Sequence, residues 1–393
     1  MHGPADAARG AKDAVRAAAH AVFARARAEF DDVEKEELLE ACAALGLLVG
    51  GAGSKRDAYA LLEAAFVRRA HCVAKLEHKG EGGVYALAVV EGAGLISGGE
   101  TFICAWSQGA DRGLKSIAGR ARGIAALPGG RFATAEGRRT KNLTVDVWDA
   151  GTMRQVNWLR GHTESVQCVA AFPGGLLASG SGDKSVRIWS GAGDKATLVW
   201  HDVNALAALP DGRLASGSDD KTIRLWNVAT RACTKVLQHP DCVHALAVLD
   251  CGRLASGCSD KRVYIWSLAG GVQEAALEGH TDWVLSLAAL PNGLLASGGR
   301  DKTVRVWDVG ARACVAVLEG HEGTVNVLAA LPDGRLASCS YSNSLIRVWA
   351  LAAPGTPEDA AAAAAAAAAR GVVVAPGKEA EPAEVAGGGG EEI

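Results

Sequence analysis

A repeat with a period of about forty residues is the feature that most constrains how this chain can fold. The string GRLASGSDDKTIRLW at 212–226 returns in close variants at 175–189, 252–266 and 293–307. Each copy ends on a tryptophan, and the more divergent copies extend the series to Trp106, Trp148, Trp189, Trp226, Trp266, Trp307 and Trp349. These seven registered copies predict one array of similar units rather than several independent domains.

Within one unit, polar and apolar residues alternate as they do in short β-strands, and turn residues separate the segments. In the fourth unit the predicted strands are 203–209, 213–218, 222–226 and 232–239. Four short antiparallel strands make one propeller blade. The sequence therefore predicts an all-β fold, a seven-bladed β-propeller.

Two dipeptide motifs recur with the repeat: Gly-His at Gly161-His162, Gly279-His280 and Gly320-His321, and Trp-Asp at Trp148-Asp149 and Trp307-Asp308. With these motifs the sequence resembles the WD-repeat β-propeller family. The resemblance covers about residues 71–352, and blades 1 and 2 are its degenerate copies. It implies that a strand from the start of the ring completes the last blade. The last unit lacks its own fourth strand, and segment 71–78 is similar to 313–319, so we expect 71–78 to close the ring.

The family resemblance also implies a hydrogen-bonded chain of His, Ser, Asp and Trp within a blade. Three blades have the full set: His162, Ser179, Asp183 and Trp189; His239, Ser256, Asp260 and Trp266; His280, Ser297, Asp301 and Trp307. Ser, His and Asp are also the residues of the catalytic triad of many hydrolases. A nucleophile is needed once, however, whereas this set recurs three times, and a buried imidazole and carboxylate must be paired in any case. We therefore interpret the set as framework and expect blades 1, 2 and 4 to be held less tightly.

The resemblance implies that partners touch one rim of the ring, at three positions in each blade. Mapped onto this sequence, the candidates are Tyr85, Arg120, Arg122, Lys141, Gln167, Asp202, Asn204, Asp219, His244, Trp283, Leu285, Arg300 and Asn326. Blade 2 is basic at these positions, blade 4 is acidic and blade 6 supplies an aromatic. Each candidate could equally be an ordinary surface residue. Trp283 is the strongest, because the equivalent positions hold Ser165, Cys242 and Thr324.

These patterns favour a non-catalytic scaffold that presents its faces to protein partners. An alternative is a substrate receptor or adaptor in a ubiquitin-handling complex, with a helical N-terminus as the adaptor. A propeller hydrolase would need acidic residues on the innermost strands, which read VNALAAL, VHALAVL and VLSLAAL. We therefore predict no catalytic residue, no cofactor and no metal site. The net charge of −3 does not favour nucleic acid or an anionic membrane as a partner.

The two flanks differ in kind from the repeat. Residues 1–70 have apolar residues at helical spacing and predict a small α-helical region. Residues 353–393 are rich in Ala, Gly and Glu and predict a disordered tail. The ten cysteines form no metal-binding spacing, and no export signal is recognised, so we expect reduced thiols and an intracellular location, cytoplasmic or nuclear.

Overall fold

In a computed structural model of the chain, the described residues are 38–40, 70–78, 82–106, 113–135, 143–172, 174–190, 193–199, 202–290, 293–342 and 344–351. The strands all lie in one compact unit, Arg68–Ala353. The predicted tail lies outside the described residues. So does the predicted helical region 1–70, except for a helical segment at 38–40 and for Ala70, which begins the first strand rather than ending a helical region. No helix in the described ranges is long and apolar enough to cross a membrane.

The unit contains seven antiparallel sheets of four strands, and each sheet is one blade. The first strand of the unit is β1 (Ala70–Glu77). Blades 1 and 2 contain β2 (Val84–Val90), β3 (Gly94–Gly99), β4 (Phe102–Trp106), β5 (Gly113–Ala118), β6 (Gly123–Leu127), β7 (Arg131–Ala135), β8 (Thr144–Asp149) and β9 (Arg154–Arg160). Blades 3 and 4 contain β10 (Val166–Ala171), β11 (Leu177–Ser181), β12 (Ser185–Ser190), β13 (Gly193–Val199), β14 (Val203–Ala208), β15 (Arg213–Ser218), β16 (Thr222–Asn227) and β17 (Ala232–Gln238).

The remaining blades follow the same order. Blades 5 and 6 contain β18 (Val243–Leu249), β19 (Arg253–Cys258), β20 (Val263–Ser267), β21 (Val272–Leu277), β22 (Val284–Leu290), β23 (Leu294–Gly299), β24 (Val304–Asp308) and β25 (Ala313–Leu318). Blade 7 adds β26 (Val325–Ala330), β27 (Leu336–Ser340) and β28 (Leu345–Leu351). A short 3-10 turn, Asp250–Gly252, lies between β18 and β19.

The first strand of each blade is the innermost, and these seven strands contact one another in a closed cycle in which β26 meets β2. Strand β1 completes blade 7 by pairing antiparallel with β28, from Ala70 opposite Leu351 to Glu77 opposite Leu345. The predicted seven-bladed fold and its closing strand are therefore confirmed. Strand β1 thereby covers the edge of β28, which would otherwise be unpaired and could promote aggregation.

The core lies between the blades, and the repeated tryptophan fills it. Trp226 of blade 4 packs against Val186 and Ile188 of blade 3, and Trp307 packs against blade 5 in the same way. Burying a side chain of this size contributes about 2–3 kcal/mol. The small residues of the second strands make room for this packing. A Cβ on Gly217 would lie 2.6 Å from Val243 Cγ1, so glycine is required at that position.

Candidate functional site

In blades 3 and 6 the four framework residues form one continuous chain of hydrogen bonds. His162 Nδ1 lies 2.8 Å from Asp183 Oδ2, and His162 Nε2 lies 2.7 Å from Ser179 Oγ. The indole N–H of Trp189 donates to the same hydroxyl at 2.7 Å. The same three contacts recur in blade 6 at 2.8, 2.7 and 2.7 Å, among His280, Asp301, Ser297 and Trp307.

The serines at the centre of these chains are buried and are bonded on both sides. Ser179 and Ser297 have no exposed surface. Each hydroxyl is already shared between an imidazole and an indole, so the chain links the loop before the first strand to the second and third strands. Burial alone would raise the pKa of Asp183, but hydrogen bonds from Ser185, from the Thr163 backbone and from His162 lower it overall. The ionised carboxylate is thereby held as an acceptor.

Blade 5 departs from this pattern. His239 Nε2 lies 2.8 Å from Ser256 Oγ, but His239 and Asp260 are not joined. Asp260 instead accepts a hydrogen bond from Tyr264 Oη at 2.5 Å. Two sequence changes explain the difference. Pro240 has no N–H to donate where blades 3 and 6 use a threonine, and Tyr264 stands where most blades have arginine. Burial lowers the pKa of His239 to about 4.

Blade 1 has a framework histidine that the sequence pattern did not single out. His78 follows β1 and places Nδ1 2.8 Å from Ser97 Oγ and Nε2 3.1 Å from the Phe102 carbonyl oxygen. Trp106 donates to Ser97 at 2.7 Å. The signal was available, because segment 71–78 matches a strand that leads into a Gly-His pair elsewhere in the chain. Burial lowers the pKa of His78.

The bond between hydroxyl and indole is the most regular part of the framework. It occurs in all seven blades. Outside blades 3 and 6 it joins Ser97–Trp106, Thr134–Trp148, Ser216–Trp226, Ser256–Trp266 and Ser338–Trp349, at 2.7 to 2.9 Å. In blade 7 the carboxylate position is Asn343, which lies outside the described residues.

We call one end of the ring the rim. There, the turn after the second strand of a blade donates a backbone hydrogen bond to the residue before the first strand. The backbone bonds that define it are Gly182 N to Ser165 O, Ser259 N to Cys242 O, Arg300 N to Trp283 O and Tyr341 N to Thr324 O, at 2.8 to 3.0 Å. The predicted partner-binding candidates that the structure describes lie in or beside these segments. Lys141 is outside the described residues.

Several rim candidates connect one blade to the next. Arg122 Nη1 donates to Gln167 Oε1 at 2.7 Å, from blade 2 to blade 3. Asn204 Nδ2 donates to the Val243 carbonyl at 3.3 Å. Asn326 Nδ2 makes the corresponding hydrogen bond to the Val84 carbonyl oxygen at 2.8 Å, from blade 7 to blade 1, where the ring closes. Leu285 occupies the same position in blade 6 and is half-buried. These polar residues therefore have a structural role besides any binding role.

An aromatic cluster occupies the rim of blades 5 and 6. Trp283 is 40% exposed. The His244 ring stacks on it with centroids 5.5 Å apart and planes 21° apart, and the Arg300 guanidinium carbon lies 5.0 Å from its centroid. His244 Nε2 in turn lies 2.7 Å from Ser259 Oγ, and Arg300 Nε lies 3.8 Å from Asp282. Trp283 is thus held in place while its surface stays available.

A second aromatic cluster lies where blades 7, 1 and 2 meet. Tyr85 meets Tyr341 edge to face at 5.4 Å, and its hydroxyl donates to Glu100 at 3.2 Å. Arg120 lies under the Tyr85 ring, 5.9 Å from its centroid, and is only 8% exposed. The prediction that Arg120 presents its charge at the surface is therefore corrected. Tyr341, which is 56% exposed and was not among the candidates, is the residue that faces solvent here.

The rim of blade 4 is acidic, as its sequence indicated. Asp202 and Asp219 are exposed, and Asp219 accepts a hydrogen bond from Asn204 Nδ2 at 2.7 Å. The neighbouring Asp241 pairs with Lys221 at 3.1 Å. Within the described ranges, no group of three or more His, Cys, Asp or Glu side chains is arranged to hold a metal ion. The chemistry of the rim is that of a surface for polar and aromatic contacts.

Comparison with known families agrees with this architecture. The model of the WD40 family, described as "WD domain, G-beta repeat", matches residues 153–190, 194–227, 231–267, 271–308 and 312–350. A search of the curated proteins finds no significant match. The fold is a seven-bladed β-propeller built from repeats of this type, and the chain is a WD-repeat protein. Propellers of this family generally serve as scaffolds for protein interactions and are typically not enzymes.

Proposed function

We propose that this protein is a non-catalytic scaffold that binds protein partners at its rim. The observation that carries the proposal is Trp283. A large aromatic ring, 40% exposed, is held by contacts with His244 and Arg300 at a position where the framework does not require it. Tryptophan and arginine dominate the binding energy of many interfaces, and an anchor that is already rigid loses little entropy on binding.

The charges of the rim restrict the partner further. Asp202 and Asp219 make the blade 4 side acidic, whereas Arg122 and, in the sequence, Lys141 make the blade 2 side basic. A partner with an apolar group for Trp283 and acidic residues for blade 2 fits this distribution. Charge pairing at a rim mainly accelerates association and weakens with salt, whereas the contact with Trp283 sets how long the complex lasts.

Affinity capture from a cell lysate tests the proposal. Wild-type protein and Trp283→Ala are compared, with Val272→Ala as the control, because Val272 is an exposed apolar residue on an outer strand far from the rim segments. We expect partners that both wild type and Val272→Ala recover and that Trp283→Ala loses. Equal recovery by all three proteins would show that this part of the rim is not the binding site.

We also propose that the protein resides inside the cell, in the cytoplasm or the nucleus. The support is the state of its cysteines, eight of which are free thiols in the described ranges. A chain with many unpaired thiols suits a reducing compartment. Imaging a tagged full-length chain tests this, and secretion into the medium would contradict it.

A further inference from the structure

Two devices cover grooves between neighbouring blades in the described part of the ring, and each occurs in some of the grooves. The first is an apolar residue two positions after the tryptophan, which packs between the blades at Ala150, Val228, Leu268 and Val309. The second is a lysine on the outer strand. Lys115 of blade 1 donates to the Gly151 carbonyl of blade 2, and Lys235 of blade 4 donates to the Gly270 carbonyl of blade 5.

The groove between blades 2 and 3 lacks both devices. Strand pairing places Asn157 opposite Val147, the position that Lys115 and Lys235 hold in their own blades. Asparagine is too short to cross the groove. On the blade 3 side, the residue two positions after Trp189 is a glycine in the sequence, and the hairpin that follows is shorter.

The length of that hairpin is read from the pairing. Trp189 pairs with Asp194, five residues on, whereas Trp148 pairs with Gln155, seven residues on. The connection between the third and fourth strands is therefore two residues shorter in blade 3 than in blade 2. The shorter hairpin belongs to blade 3 and the short side chain of Asn157 to blade 2, so both features leave the same groove more open.

A cleft of about 570 Å³ occupies this groove. Its lining is mostly apolar and includes Val147, Leu159, Leu177 and Trp189. Arg131 also lines the cleft, and it is an exposed residue. A largely apolar cavity with one cation in its lining suits a bulky aliphatic side chain whose neighbours carry negative charge.

Strand β9 borders the cleft and is the outermost strand of blade 2. Val156 is 53% exposed and Trp158 is 55% exposed. The Trp158 backbone N–H donates to the Asn157 side-chain oxygen at 2.9 Å. Arg154 and Arg160 flank these residues, the strand RQVNWLR carries no acidic residue, and the Arg160 guanidinium lies 5.9 Å from the Trp158 ring.

We propose that the cleft between blades 2 and 3, together with the free edge of β9, is a docking site for an extended acidic polypeptide segment with a bulky aliphatic residue. A segment added along a strand edge directs alternate side chains to opposite faces of the sheet. One set would enter the cleft beside Leu159, and the other would lie over Trp158. The carboxylates of the segment would meet Arg131, Arg154 and Arg160. This site is separate from the rim and does not depend on the function proposed for it.

A display library of random ten-residue peptides tests the proposal with the full-length chain as bait. Peptides retained by the wild type and released by a Trp158→Ala/Arg160→Glu variant are sequenced, labelled with fluorescein and titrated by fluorescence anisotropy. We expect these peptides to be acidic and to contain Leu, Ile or Met. The dissociation constant should rise at least tenfold with Trp158→Ala, with Arg131→Glu and with Asn157→Phe, which fills the entrance of the cleft.

Three control variants separate this site from general surface effects. Val272→Ala removes an exposed apolar residue from the outer strand of blade 5, Lys75→Glu reverses a charge on the outer strand of blade 7, and Trp283→Ala alters the rim. Each should leave the dissociation constant within a factor of two. The proposal is overturned if no peptide is enriched, if the enriched peptides are neutral or basic, or if they bind the cleft variants as tightly as the wild type. Equal melting temperatures of all variants ensure that the comparison is made on folded protein.

Discussion

Replacing Asp301 by alanine removes the acceptor at the end of the blade 6 chain. Asp301 Oδ2 binds His280 Nδ1 at 2.8 Å and the Thr281 backbone N–H at 3.0 Å, and Oδ1 binds both the N–H and the hydroxyl of Thr303. The His280 side chain is fully buried and the Asp301 side chain is 5% exposed. The substitution therefore leaves a buried imidazole N–H without a partner.

A buried donor left unsatisfied costs about 1–3 kcal/mol, and bonds from partly exposed groups cost less. For Asp301→Ala we expect the free energy of unfolding to fall by about 2–3 kcal/mol. Asp260→Ala in blade 5 is the matched control. It removes bonds from Tyr264 and the Arg262 backbone, but His239 Nδ1 has no partner to lose. We expect a loss of about 1 kcal/mol there.

Urea unfolding followed by tryptophan fluorescence measures both losses, and the slope with urea shows whether the unfolded states are comparable. Equal losses for the two variants would refute the reasoning, as would an Asp301→Ala protein as stable as the wild type. A pH series adds a second test. Burial would raise the pKa of Asp301, but hydrogen bonds from His280 and Thr281 lower it overall. Its contribution is complete above the ordinary Asp pKa of about 3.9 and is lost as the pH falls further, so the two proteins should converge in acid.

Three further predictions concern the ring. Because burial lowers the pKa of His239 to about 4, the free energy of unfolding of the wild type should fall as the pH falls from 6.5 to 4. In urea titrations, His239→Gln should reduce the slope of this free energy with pH by up to about 1.4 kcal/mol per pH unit. An unchanged slope would contradict the assignment. Deleting 1–78 removes the strand that completes blade 7 and should lower the melting temperature far more than deleting 1–66; equal melting temperatures would exclude the closing role of that strand. Gly320 has φ 121°, and a Cβ there would lie 3.5 Å from the Arg347 guanidinium. Gly320→Ala should therefore lower the free energy of unfolding by about 1–2 kcal/mol. An unchanged free energy of unfolding would show that the loop relaxes freely.

The architecture could be predicted because its signals repeat. Seven tryptophans at nearly constant spacing fixed the number of blades, and the similarity of 71–78 to 313–319 identified the closing strand. Repetition also favoured the interpretation of Ser, His and Asp as framework residues over a catalytic interpretation. A set that recurs in several blades and lies buried in each has a structural explanation that does not depend on any single residue.

Departures from the repeat were harder to predict, because their consequences depend on neighbours in space. Pro240 and Tyr264 are visible in the sequence, but only the structure shows that together they divert Asp260 from His239. Arg120 aligns with exposed rim positions and is nevertheless buried under Tyr85. The interval between Trp189 and Trp226 is 37 residues, whereas the other intervals are 40 to 42, but only the strand pairing shows that the blade 3 hairpin is two residues shorter than the others.

Site-specific photo-cross-linking tests the central claim, that the rim binds protein partners, most directly. A benzoylphenylalanine is introduced in place of Trp283 in the full-length chain, and in a control protein it is introduced in place of Val272, which is also exposed but lies on an outer strand. Both proteins are irradiated in living cells, and cross-linked species are identified by mass spectrometry. The account predicts that discrete protein adducts form at position 283 and do not form at position 272. The absence of adducts at 283, or the same adducts at both positions, would contradict it.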